Sequence, residues 1–165
     1  MNLRYGYFLL NNNLDDVWQK SRKYWNSIEK MRIKKKSSYA TKKIAILNLS
    51  RKHALKQSEE YYLKFVKDPN KQDITHVRVC FEYLGDSLFG TETKMEMTVN
   101  EWILLFGVEP IKFQKHPNKE NEIFFTDLME EAKIHKKVVG FCPYCGKKIK
   151  PPLKYCSECG SLLDF

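Results

Sequence analysis

The sequence predicts an α+β fold: an N-terminal basic helical hairpin, a small antiparallel sheet with helices, and a short cysteine-bearing module at the C-terminal end. Three observations lead there. No Gly or Pro falls between Tyr7 and Asp68, and apolar residues recur there at the three- and four-residue spacing of helices. Val77, Val79, Phe81 and Tyr83 then alternate with His76, Arg78, Cys80 and Glu82, the period of a half-buried strand. Four of the five cysteines gather in residues 138–165, leaving 1–137 as the body.

Taken in order, Leu3, Tyr5, Tyr7 and Phe8 predict a short strand that Gly6 weakens and Asn11, Asn12 and Asn13 end. Asn13 can cap a helix whose first turn holds Asp15 and Asp16, where carboxylates meet the positive end of the helix dipole. Leu14, Val17, Trp18, Ser21, Trp25, Ile28 and Met31 give that helix one apolar face, and Ile44, Leu47, Arg51, Leu55, Ser58, Tyr62 and Phe65 continue a stripe. One helix over 14–66 would run about 80 Å, so two are expected, broken near Lys36, Ser37 and Ser38. A hairpin over 14–67 with a basic tip results.

Over 74–137, Thr93, Met95, Met97 and Val99 predict a second strand paired with the first through a long loop. A short apolar helix over 100–106 ends at Gly107, Ile111 to Phe113 reads as a third strand, and Pro117 to Asn121 as a polar turn. From Thr126 a helix follows, with Glu130 and Glu131 early and Lys133, Lys136 and Lys137 late. Cys80 is expected to be buried, as free cysteines usually are.

Cys142-Pro143-Tyr144-Cys145-Gly146 and Cys156-Ser157-Glu158-Cys159-Gly160 are the strongest chemical statement in the chain. Two Cys-x-x-Cys turns supply four thiolates, the closed tetrahedral set of structural metal sites. Each Gly stands where the backbone needs positive φ. The pattern resembles the short zinc-ribbon family over residues 141–163, and nothing upstream shares the resemblance. It implies a structural Zn2+ held by Cys142, Cys145, Cys156 and Cys159, and a docking module with no reaction attached; iron uses the same donors. A lysine-rich chain with a leftover thiol, Cys80, favours a reducing compartment, cytoplasmic or nucleoid/nuclear, where this spacing means metal and not disulfides.

Of 165 residues, 42% are hydrophobic and 13% aromatic, values of a packed globular protein. No apolar run approaches a membrane span. The net charge of +9 is uneven: +11 over 1–72, −6 over 73–135 and +4 over 136–165. Positive potential concentrates in the N-terminal third, and closely spaced cations attract phosphate without reading bases. The contact candidates are Arg22, Lys23, Lys30, Arg32, Lys34, Lys35, Lys36, Lys42, Lys43, Arg51 and Lys52, with Tyr24 as a stacking candidate. A solvated helix face is the plainer alternative. Lys147, Lys148, Lys150 and Lys154 either balance the thiolate cluster or add to a contact surface.

The expected function is that of a non-enzymatic nucleic-acid-associated protein, binding RNA or DNA alone or within a larger protein or ribonucleoprotein assembly. The alternatives are an adaptor or inhibitor docking through its ribbon and acidic middle segment, and a nuclease-like enzyme with an acidic site. His53, His76, His116 and His135 are scattered without ligand spacing, His135 alone standing near the cysteines. No phosphate loop or nucleophile elbow is present in the sequence.

Overall fold

The computed structural model describes residues 3–38, 43–53, 56–85, 90–137, 141–142, 144–148 and 155–162. The elements are β1 (Arg4–Leu10), α1 (Leu14–Ser27), β2 (Met31–Ser38), β3 (Ile44–Lys52), β4 (Ser58–Lys67), β5 (Thr75–Leu84), α2 (Thr91–Leu104) and α3 (Lys119–Lys137). The strands form one antiparallel sheet in the order β1-β5-β4-β3-β2. The chain lays down one edge strand, crosses by α1 to the opposite edge, and returns as a meander. No helix among the described residues is long and apolar enough to cross a membrane.

Two expectations hold closely. Asn13 caps α1, its Oδ1 accepting from the Asp16 amide at 2.8 Å, and the alternating 77–83 stretch is the heart of β5. The helical hairpin over 14–67 does not exist. α1 stops at Ser27, Lys30 turns the chain at φ 63°, and Met31–Ser38, Ile44–Lys52 and Ser58–Lys67 are three strands. The cause lies in packing: one sheet face meets α1 and α2 and part of the other meets α3, so β3 and β4 bury side chains on both sides. Leu47, Leu49, Tyr61, Leu63 and Phe65 belong to the first core, while Ile44 and Val66 belong to the second with Phe125, Leu128 and Ala132. A strand buried on both faces reads as a continuous apolar run and loses the alternation that marks it.

The opposite error occurs in α2. Met95 and Val99 satisfy both two-residue and four-residue spacing, and burial of Met95, Val99, Trp102 and Ile103 shows the helical face to be the real one. The expected strand over 93–99 and helix over 100–106 are thus one helix. Ile111 to Phe113 forms no strand; the neighbouring Gln114 makes only an isolated bridge to Tyr5, with both backbone bonds at 2.9 Å. The expected polar turn is the start of α3, where the Asn118 side chain accepts from the Asn121 amide at 3.0 Å.

The main core centres on Trp25 and Trp102, both fully buried, with ring centroids 5.9 Å apart. Trp102 Nε1 donates to Ser21 Oγ at 3.0 Å, tying α2 to α1. Phe8 and Phe65 meet Trp102 edge-on at 5.8 and 6.0 Å. Gly6 in β1 has a specific reason: a Cβ there would stand 2.6 Å from the Phe113 ring, which packs on Phe81 at 5.0 Å. Gly6→Ala should therefore cost about 1–3 kcal/mol by overpacking. Phe113→Leu should recover part of that loss, so a thermal-denaturation double-mutant cycle should be clearly non-additive.

Candidate metal centre and basic surface

The two cysteine knuckles are built alike. Cys142 N donates to Lys147 O at 2.7 Å and Gly146 N to Cys142 O at 2.8 Å; Cys156 N donates to Ser161 O and Gly160 N to Cys156 O, both at 2.9 Å. Gly146 and Gly160 each stand at φ 72°. Single bridges, Phe141 to Lys148 and Tyr155 to Leu162, close the two loops. In each knuckle the first cysteine is buried and the second exposed.

The four Sγ atoms all lie within 4.8 Å of one another. Cys142 to Cys159 and Cys145 to Cys156 are both 3.7 Å, far beyond the ~2.05 Å of a disulfide. Tetrahedral sulfurs about 2.3 Å from a central ion stand about 3.8 Å apart. The donor set therefore fits a metal ion, and among the described residues it is the one group of three or more His, Cys, Asp or Glu that does. The Ser161 hydroxyl, 3.2 Å from Cys159 Sγ, and the Ser161 amide bring that thiol down to about 6. Cys145 goes up to about 12: the Lys147 amide lowers it, but desolvation and the three neighbouring sulfurs outweigh that. Lys147 pairs with Glu158 of the other knuckle, so its charge is matched by a carboxylate; Lys150 and Lys154 lie outside the described residues.

The basic residues scatter over different environments. Lys23, Lys30, Arg32, Lys34 and Lys52 are exposed, and Lys34 Nζ reaches Glu60 Oε2 at 2.9 Å. β2 is an edge strand, its register setting Arg32 against Ser50, Lys35 against Asn48 and Lys36 against Leu47. The side chains of Lys35 and Lys36, and all of Lys42, fall outside the described residues. Arg22 is half-buried, its guanidinium 5.8 Å from the Trp18 ring centroid. Lys43 is half-buried at the start of β3. Tyr24 is half-buried too, its hydroxyl donating to Thr98 O at 2.8 Å. Burial, then Glu101, pushes that hydroxyl up to about 12.

Arg51 is the clear misfit among the contact candidates. It faces the main core side of the sheet and forks onto Glu59, Nε to Oε2 at 3.0 Å and Nη2 to Oε1 at 2.9 Å. Glu59, 3% exposed, also accepts from the Tyr61 hydroxyl at 2.9 Å and lies 3.1 Å from His53 Nε2. Burial pushes the Glu59 carboxyl up, but the bonds and charge of Arg51, then Tyr61 and His53, hold it below the usual range. Only cross-strand register unites these residues, so spacing along the chain gave no sign of them. Two middle-segment acids are likewise engaged separately: Glu92 pairs with Arg4, and Glu122 takes Arg78 Nη2 at 2.6 Å and the Tyr7 hydroxyl at 2.6 Å. Cys80 is buried, and burial pushes its thiol up to about 11.

A buried acid whose folded pKa is lowered contributes stability above its unfolded pKa, and that stability is lost as pH falls through the folded value. Acid titration followed by circular dichroism should thus show stability declining below about pH 4.5. Arg51→Ala, which strands a buried carboxylate, should cost about 3–5 kcal/mol at neutral pH. Gly146→Ala and Gly160→Ala meet no neighbour within 4 Å, so each should cost the knuckle only about 1–2 kcal/mol of backbone strain, read by chelator competition.

No family model matches the chain and no curated protein matches it, so the chemistry of these residues carries the functional reading.

Proposed function

We propose that the chain is a non-enzymatic nucleic-acid-associated protein whose basic β2 edge takes the phosphate backbone of RNA or DNA and whose paired knuckles form a structural zinc ribbon. The observation that carries this reading is the exposure of Lys30, Arg32 and Lys34 on and beside an edge strand, with Lys35 and Lys36 next in register. Lysines on sheet edges also deter edge-to-edge pairing, but five cations among the seven residues 30–36 exceed what a single deterrent charge achieves. Phosphate binding needs only this density of cations, because each neutralised phosphate releases counterion.

Four thiolates, with no histidine or carboxylate among the donors, suit Zn2+ with a complete protein shell, which leaves no position for activating water. In that role Cys142, Cys145, Cys156 and Cys159 hold the ion, and its binding energy folds a segment too small to bury a core of its own. The same donor chemistry supports a reducing compartment, cytoplasmic or nucleoid/nuclear, for the working protein. A docking module of this kind fits membership of a transcription or translation assembly.

A second reading, an adaptor for a basic partner, is favoured by α2. Met97, Leu104 and Leu105 are 57%, 60% and 53% exposed, and with Glu101 they form an outward stripe opposite the buried one.

Mixed-sequence oligonucleotides titrated between low and moderate salt should bind with a steep log–log salt slope. Replacing Lys30, Arg32, Lys34, Lys35 and Lys36 by Gln should flatten the slope by about 0.7–0.9 for each phosphate contact removed; unchanged affinity and slope would overturn the edge assignment. Elemental analysis should find one zinc per chain, and Cys156→Ser should lose it together with the ribbon's chemical-shift dispersion. Protein that co-purifies after nuclease treatment, and is lost on Leu104→Ser, would select the adaptor.

A further inference from the structure

A cavity of about 520 Å³ opens between the β4–β5 turn and the second half of α3. Lys43, Lys67 and Lys71 line it, and Leu128 and Ala132 of α3 supply an apolar wall. Its volume lies in the range of small-molecule sites. Two carboxylates also line it, Asp68 and Glu131, but Asp68 is committed to the turn. Its Oδ1 accepts from the Asn70 and Lys71 amides, both at 2.9 Å, and its Oδ2 lies 2.7 Å from His76 Nε2. Among the described residues three lysines therefore stand against two carboxylates, one of them, Asp68, bound within the turn.

The placement of two of these lysines is itself unfavourable. Lys67 N donates to Lys43 O at 2.8 Å, which sets their backbones side by side at the end of the sheet, and neither has an ion pair among the described residues. Like charges on neighbouring strands destabilise a sheet. An anion in the cavity would turn that repulsion into attraction for both. A phosphate monoester carries a charge of about −1.5 to −2 at neutral pH, and it would meet a lining in which three lysines outnumber two carboxylates. The Asn70 and Gln72 side chains, which share the lining, and the apolar wall suit the sugar and ring that such a group carries.

We propose that this cavity between the β4–β5 turn and α3 binds the phosphate monoester of a nucleotide. The group is held by Lys43, Lys67 and Lys71 and the attached ring rests against Leu128 and Ala132. The site shares no residue with the β2 edge, so it stands or falls separately from phosphate-backbone binding there. A free mononucleotide and the phosphorylated end of a nucleic-acid strand present the same chemistry.

The test titrates the full chain with 5′-AMP and with adenosine, followed by calorimetry or amide chemical shifts. AMP should bind, with adenosine at least about tenfold weaker because its charge-assisted bonds are missing. Lys71 stands in an exposed turn, so Lys71→Gln should keep the melting temperature yet weaken AMP about tenfold, and Lys67→Gln should add to the loss. Equal binding of AMP and adenosine, no AMP binding at millimolar concentration, or unaltered AMP affinity in Lys71→Gln would each overturn the proposal. Short oligonucleotides with 5′-phosphate and 5′-hydroxyl ends then separate the sources. A preference for the phosphorylated end that disappears in Lys71→Gln assigns a strand end, and no preference assigns a free nucleotide. The 5′-hydroxyl oligonucleotide alone reports on the β2 edge, which keeps the two outcomes distinct.

Discussion

The central strands must be covered along one face and at one end of the other, and most of the body follows from that constraint. β4 lies between β3 and β5 and sends Tyr61, Leu63 and Phe65 into one core and Val66 into the other. Its first face is apolar from Tyr61 to Phe65 and needs cover from water, while on the second Glu60, Tyr62 and Lys64 precede Val66. α1 and α2 cover the first face with the Trp25 and Trp102 pair, and α3 crosses one end of the second. The cavity beside the β4–β5 turn exists because α3 covers only that end.

Charge is sorted by the same constraint. Arg51 and Glu59 face each other across two central strands under the helices, where a lone charge would be costly and a forked pair with two further partners is tolerated. Arg32 and Lys34 stand on the outermost strand and keep access to solvent. The concentration of positive charge evident along the chain is thus divided by the sheet into one structural arginine, an exposed edge and lysines that line a cavity. Total charge counts the cations, whereas strand order decides which of them meet solvent.

The knuckles obey different physics. Among the described residues their large apolar side chains stay outside: Phe141, Tyr144, Tyr155 and Leu162 are all more than half exposed. Their geometry comes from local hydrogen bonds and glycine dihedrals repeated in two short loops, so each depends on neighbours within a few residues. Four sulfurs then converge at the spacing a tetrahedral ion requires. This is why the site could be identified from residue spacing alone while the body could not.

Local chemistry determined the four clustered cysteines, the Asn13 cap, the alternating β5 strand and the charge asymmetry, because each depends on residues close together in sequence. Tertiary structure alone decided that β2, β3 and β4 are sheet and 91–104 helix. Met95 and Val99 fit either period, and β3 and β4 hide their alternation by burying both faces, so only the partner surfaces break the tie. The same holds for Arg51: a cation at the end of a lysine-rich stretch is a surface residue until the register of β3 against β4 sets Glu59 opposite it.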